Sequence, residues 1–266
     1  MSLPTPTPTT RAVVTGASSG IGVALAEELA RRGYSLILVA RREDRLEELA
    51  DRLEAAYGIE VEIRAVDLSD RSARGTLCAE LAARHIGVLC NNAGFATYGE
   101  LAQANPTRER QQVELNTVAV HDLTLAVLPG MLEHGAGAIL VTGSTAGNQP
   151  GPGNATYAAT KAFANTLAES LHSELAGTGV TCTLLAPGPV RTEYAEVAEV
   201  PNLDRLVPGP LWVSAEQAAA EAISGLNAGR RRVVPGAFAK VQTISGQYTP
   251  RAVIGPVLRA VYRKVK

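Results

Sequence analysis

The sequence predicts an α/β fold: a doubly wound, mainly parallel seven-stranded sheet with helices on both faces. Two observations carry that expectation. Short continuous apolar runs alternate strictly with longer stretches of helical periodicity. Strands covered on both faces read as continuous apolar runs, and strict alternation of strand and helix implies right-handed crossovers between parallel strands. The second observation is size. A chain of 266 residues, 46% hydrophobic and 19% charged, has material for one large domain with a substantial core.

The elements follow in order. Residues 4–9 alternate Pro and Thr, which favours an extended, disordered segment over 1–10. A single domain over 11–266 then begins. Strands are expected at 12–15, 35–40, 60–66, 86–91, 138–143, 180–186 and 232–234. Helices are expected at 21–32, 43–57, 69–84, 106–134, 155–176 and 214–227. The last opens on Ser214-Ala215-Glu216-Gln217, a capping box. Between them, 187–213 carries five Pro and two Gly, too irregular for a helix or strand. A loop this long that follows a strand hangs over the carboxyl edge of the sheet, where such folds bind ligands. Its apolar residues, among them Val197, Leu203 and Trp212, either line a greasy substrate pocket or seal the loop to the body. Residues 237–266 form a carboxyl-terminal extension. Its end, 256–266, reads as a short basic amphipathic helix that docks on its own protein, on a neighbouring subunit or on a membrane surface.

Composition narrows the function classes. A net charge of −1 gives no electrostatic case for nucleic acid. There is no run of 18 apolar residues and no signal-peptide pattern at the start. Cys78, Cys90 and Cys182 lack metal or redox spacing and read as buried, reduced residues of a cytoplasmic protein. His85, His121, His134 and His172 are scattered, so no metal site is expected.

Three local patterns carry chemistry. Of 25 basic residues only four are Lys, and Lys161 stands alone through the first 239 positions, four residues after Tyr157. At i and i+4 on a helix the phenol and the ammonium share one face. The ammonium favours the phenolate, which makes Tyr157 a proton donor near neutral pH. Next, Thr15-Gly16-Ala17-Ser18-Ser19-Gly20-Ile21-Gly22 follows the first strand and opens a helix. Its glycines allow a tight turn and close approach to a pyrophosphate, and the helix amino terminus offers N–H donors. Finally, Arg41 and Arg42 follow the second strand, where a fold that prefers NAD places a carboxylate. A guanidinium suits a 2′-phosphate, so the expected cofactor is NADP(H), with Arg41 its main contact.

Taken together, these motifs resemble the short-chain dehydrogenase/reductase family of one-domain, Rossmann-like enzymes, over roughly residues 11–234. Thr15 to Gly22, with Gly16, Ser18, Ser19, Gly20, Ile21 and Gly22, resembles the family's cofactor turn. Asp67-Leu68 is similar to the pair that meets the adenine ring. Asn91-Asn92-Ala93-Gly94 resembles the signature that braces the sheet beside the cofactor. The resemblance implies that Asn116 holds a water, that Ser144 fixes the substrate oxygen and that Tyr157 donates the proton. It assigns Lys161 to the ribose and to lowering the Tyr157 pKa. It assigns Pro187, Gly188, Val190 and Thr192 to the nicotinamide carboxamide. The expected activity is NADP(H)-dependent interconversion of an apolar carbonyl and an alcohol. The alternatives are a catalytically silent NADP(H)-binding sensor or scaffold, and a sugar-nucleotide epimerase. The first is expected to lose the Tyr or Lys; the second needs a longer carboxyl-terminal domain. Small residues along 155–168 imply a homodimer or homotetramer, or else close packing on the chain's own sheet.

Overall fold

The computed structural model describes residues 3–191, 212–249, 252–253 and 255–256. In chain order the elements are β1 (Arg11–Thr15), α1 (Gly20–Ala30), β2 (Ser35–Ala40), α2 (Glu43–Tyr57), β3 (Val61–Ala65), α3 (Arg71–Ala82), β4 (Ile86–Asn91), α4 (Pro106–Val113), α5 (Ala119–Glu133), β5 (Gly137–Thr142), α6 (Ala155–Glu174), β6 (Val180–Leu185), β7 (Val190–Arg191), β8 (Val213–Ser214), α7 (Ala215–Asn227), β9 (Arg232–Val233) and α8 (Ala237–Tyr248). Seven strands form one sheet in the order β3-β2-β1-β4-β5-β6-β9, and every pair is parallel. The expected doubly wound, Rossmann-like sheet is therefore observed.

Alternation along each strand explains the two layers. Ala12, Val14, Leu36 and Leu38 face one side, where they join Leu25 and Leu29 of α1 and Ile223 and Leu226 of α7. Val13, Ile37 and Val39 face the other, with Leu123 and Val127 of α5 and Ala164 and Ala168 of α6. Successive strand residues point to opposite faces, so a run buried on both sides has to be apolar throughout. Half of the capping box forms: Ser214 Oγ accepts from Gln217 N at 3.1 Å, an interaction worth about 1 kcal/mol, while the Gln217 side chain donates to Glu221 at 2.9 Å.

Four features depart from the sequence expectation. The single helix expected over 106–134 is broken by a π turn at Glu114–Val118, which separates α4 from α5. By length and composition 106–133 is apolar enough to cross a membrane; here its inner face, Leu123, Val127 and Met131, covers the sheet. Residues 3–10 have no helix or strand but are held to the body. The Tyr34 hydroxyl donates to Pro4 O, Leu3 N donates to Asn227 Oδ1 at 3.1 Å, and Thr10 is buried. The two ends of the 187–213 loop pair as a small parallel ladder, β7 with β8. Finally, α8 forms at the start of the extension, ahead of the helix expected at 256–266. Most of that loop, Thr192 included, and residues 257–266 lie outside the described residues.

Candidate active site

Strand order reverses between β1 and β4, so the loops after these strands diverge and leave a cleft at their carboxyl ends. A cavity of about 270 Å³ occupies it. Gly16, Ser18, Ser19, Gly20, Ile21, Arg41, Arg42, Asp67, Leu68, Asn92, Ala93 and Gly94 all line it. These are twelve of the expected cofactor positions. Val39, Ala40, Val66, Phe95 and Leu115 line it too, and sequence reasoning did not single them out.

The glycines are required by contact. A Cβ on Gly22 would fall 2.0 Å from Gly16 O, and one on Gly16 would fall 2.9 Å from Ala93 Cα. Gly16 also has φ of +68°, a conformation that side chains other than glycine rarely adopt. Thr15 joins the turn to the β4 loop. Its hydroxyl accepts from Asn92 N and Ala93 N, each at 2.9 Å, and Asn92 Nδ2 donates to Thr15 O at 3.0 Å. The first turn of α1 has no acidic residue, and the Ser19 side chain does not cap it. Its N–H groups and positive dipole end are thus presented to the cleft, as an anion requires. The cradle that any Cβ would fill, the uncapped helix end and the adjacent guanidiniums fit a phosphorylated dinucleotide.

The two arginines differ. Arg41 is exposed, whereas Arg42 is half-buried. The Arg42 guanidinium donates to Ser18 Oγ at 3.1 and 3.2 Å and to Ser18 O at 3.1 Å. Arg42 is thereby fixed against the glycine turn. At the adenine wall, Asp67 Oδ1 accepts from Ser69 N and Oγ at 2.9 and 2.7 Å. The buried Arg74 spans from there to the π turn. It donates to Leu68 O at 2.9 Å, to Asp122 at 2.8 Å and to Glu114 at 3.0 Å.

The catalytic candidates gather where β5 ends. Tyr157 and Lys161 lie one turn apart on α6, and the Lys161 Nζ is 5.7 Å from the Tyr157 ring centre. Lys161 is buried and donates to Thr142 O at 2.7 Å. Burial pushes its pKa down from 10.5 to about 8. Ser144 caps the short 3₁₀ turn Thr145–Asn148, its Oγ accepting from Ala146 N at 3.1 Å. Pro187 O accepts from Thr145 N at 3.0 Å, which ties the exit of β6 to this turn. Gly188 and Val190 follow, both half-buried. Gly94 links the two ends of the site: it lines the cleft, and a Cβ on it would lie 3.5 Å from Lys161 Nζ.

Asn116 sits in the π turn, as functional residues often do. Its side chain braces the β4 loop. Nδ2 donates to Phe95 O at 2.9 Å and to Thr160 Oγ1 at 3.1 Å, while Oδ1 accepts from Phe95 N at 3.1 Å. With both ends of the amide in use on protein groups, the side chain holds the loop beside Lys161.

Asn165 was missed. Its Nδ2 donates to Ser144 O at 3.0 Å and its Oδ1 accepts from Ser144 N at 3.2 Å. It clasps the serine backbone from both sides. The signal was present, because 157, 161 and 165 are successive i+4 steps on one helix face.

A cleft lined by the glycine turn, with a buried Lys beside its Gly94 wall and a Tyr one helical turn from that Lys, is what a dehydrogenase of the doubly wound type needs. The chain belongs to the short-chain dehydrogenase family, whose sequence model matches residues 10–200. It is 40% identical over 189 residues to sulfoacetaldehyde reductase 2 of Chromohalobacter salexigens, covering 70% of this chain and 74% of that protein. It is 35% identical over 201 residues to the very-long-chain 3-oxoacyl-CoA reductase of Bos taurus. That match covers 74% of this chain but 64% of the relative, so the chain spans less than two thirds of it. A solved structure of a short-chain dehydrogenase from Sphingobium yanoikuyae in complex with NADPH matches with a TM-score of 0.80 and 33% identity. It covers 93% of this chain and 94% of that one.

Proposed function

We propose that this oxidoreductase interconverts an apolar ketone or aldehyde and its alcohol, using NADP(H). The observation that carries the reading is a buried ammonium set beside a phenol at the end of a cleft fitted to a dinucleotide. The glycine turn and the α1 amino terminus would hold the pyrophosphate, Asp67 and Leu68 the adenine, and Lys161 the nicotinamide ribose. Arg42, already anchored on Ser18, and the exposed Arg41 would meet the 2′-phosphate. When bound, the cofactor supplies or takes the hydride, and that chemistry is its own.

The chain's residues handle the proton. As negative charge builds on the carbonyl oxygen, the Tyr157 O–H donates its proton there. The Ser144 hydroxyl accepts from Ala146 N, which leaves its own proton to donate to the same oxygen. Lys161 stabilises the phenolate left on Tyr157. Its pKa of about 8 lets it return a proton to Tyr157 near neutral pH. In the reverse direction Tyr157 is the base on the alcohol.

Two further assignments accompany this reading. On α6, Ala155, Ala159 and Phe163 are exposed while Ala164 and Ala168 pack inward. With the exposed Leu125 of α5, the outward face supports a homodimer or homotetramer. The three cysteines are unpaired, which supports a reducing, cytoplasmic setting.

The test is titration of the purified protein with NADPH and NADH at equal ionic strength, followed by turnover on ketones and aldehydes. We expect tighter NADPH binding, turnover of apolar carbonyls, and loss of turnover but not of NADPH binding in Tyr157→Phe. Binding without any turnover would favour the sensor reading. Binding of neither nucleotide would overturn the assignment.

A further inference from the structure

The inward face of α3 carries a cation. Its buried positions are Arg74, Leu77 and Leu81, spaced as the apolar stripe of an amphipathic helix. That spacing asks for an aliphatic residue at 74, and the chain supplies a guanidinium-bearing residue that is 2% exposed. A charge so placed has to be paired and hydrogen-bonded. Arg74 donates from Nη1 to Leu68 O at 2.9 Å, from Nη2 to Glu114 at 3.0 Å and from Nε to Asp122 at 2.8 Å. Each nitrogen of the planar fork thus holds a different segment of the chain.

Stability alone does not call for this arrangement. Apolar residues of similar volume often stabilise a core as well as a buried ion pair does. Glu114 and Asp122 are only half-buried, so water would reach both carboxylates without Arg74. What the guanidinium adds is direction. Leu68 lines the cofactor cleft, and so does Leu115, the neighbour of Glu114. Asn116 comes next on the π turn. It holds the backbone of Phe95, another cleft residue, and donates to Thr160, the residue before Lys161. Asp122, on α5, lies outside the cleft lining.

We propose that Arg74 is a positioning residue for this site. From behind the cleft it fixes the Leu68 wall to the π turn, and through that turn it sets Leu115 and Asn116. It touches neither cofactor nor substrate, and Asp122 serves only to anchor it on α5. The Leu68 contact bears on cofactor affinity. The Glu114 contact bears on turnover, because Asn116 holds the β4 loop beside Lys161. The proposal rests on the reductase reading of the cleft.

The experiment compares Arg74→Met, Glu114→Ala and Asp122→Ala in the full-length protein. Each is read by thermal melting without ligand, by NADPH fluorescence titration and by steady-state kinetics. Arg74→Met should melt within a few degrees of wild type. It should nonetheless bind NADPH on the order of tenfold more weakly and turn over on the order of tenfold more slowly. Glu114→Ala frees the π turn but leaves Leu68 and Asp122 on Arg74. It should lower kcat on the order of tenfold, with a smaller loss of NADPH affinity. Asp122→Ala takes a carboxylate from the same guanidinium and should leave kcat and affinity nearly unchanged. Equal kcat in the two alanine variants would overturn the proposal, and that contrast decides even where Arg74→Met does not fold. So would an Arg74→Met protein that melts far lower while its folded fraction keeps wild-type affinity and turnover, since Arg74 would then serve stability alone. A wild type that turns over carbonyls and is matched by all three variants sinks this proposal only. A wild type that binds no NADPH sinks the functional reading with it.

Discussion

At the β1 end the candidate site is built on backbone, and at the β5 end it is built from side chains. Around Gly16 and Gly22 nothing larger than hydrogen fits, and the groups presented to a ligand are main-chain N–H donors. Around Ser144, Tyr157 and Lys161 the working groups are a hydroxyl, a phenol and an ammonium, and other side chains hold them. Asn165 clasps Ser144, and Asn116 fixes the loop beside Lys161. On the proposed function, the backbone end binds the cofactor and the side-chain end moves a proton. Damage to the first should therefore appear in cofactor affinity, and damage to the second in turnover.

The largest effect that probes this division is Tyr157→Phe. It should lower kcat by roughly 10³- to 10⁴-fold, while NADPH affinity in fluorescence titration stays within a factor of a few. A parallel fall in both would break the division. Gly22→Ala comes next. Its methyl would collide with Gly16 O, so the turn must open, and NADPH affinity should fall on the order of a hundredfold. Binding at wild-type strength would show that the turn yields more easily than its packing implies.

Asn165→Ala sharpens the comparison, because Asn165 touches no reacting atom. It removes both hydrogen bonds to the Ser144 backbone and leaves those groups buried, a cost of roughly 1–3 kcal/mol. We expect kcat to fall about tenfold with cofactor affinity preserved; an unchanged kcat would show that Ser144 needs no clasp. Smaller again is the contrast of the two arginines. Arg42→Gln should weaken NADPH binding roughly tenfold with little change for NADH. Arg41→Gln should do less, since no hydrogen bond among the described residues anchors its exposed side chain. The reverse order would restore Arg41 as the main phosphate reader, as its sequence position implied.

The smallest effect concerns stability. Lys161 titrates near 8 when folded and near 10.5 when unfolded. Between those values the unfolded chain binds more protons, so stability rises with pH across that window. Burying the charge costs stability at lower pH. Relative to Lys161→Met, the ligand-free wild type should therefore gain a few degrees in Tm from pH 8 to 10.5. A constant offset would show that the ammonium is better solvated than its burial implies.

How much was legible beforehand follows the same line. The glycine turn could be read because part of its demand is local: Gly16 and Gly20 take positive φ, and a Cβ on Gly22 would strike Gly16 O within the same strand-to-helix connection. Tyr157 and Lys161 could be read because four residues on a helix are one turn. Asn165 obeys the same spacing, yet its partner Ser144 is 21 residues away, and no periodicity names that partner. The π turn at 114–118 left no mark either, because Glu114-Leu115-Asn116-Thr117-Val118 suits an α-helix equally well. What opens the turn there is packing, with Asn116 drawn onto Phe95 and Glu114 onto Arg74. Residues 3–10 tell the same story, since only the folded body provides Tyr34 and Asn227 to hold them.

The sequence by itself thus determined the alternation of strands and helices, the parallel sheet, the phosphate turn and the Tyr-Lys pair. Each depends on interactions within a few residues or on a hydrophobic period. Tertiary structure alone decided that Arg42 rather than Arg41 is anchored, and that Asn165 and Thr15 hold the two ends of the site. It alone decided that Lys161 is buried deeply enough to titrate near 8. These depend on which distant groups share a space, and burial, desolvation and long-range hydrogen bonding act only once the chain has closed on itself.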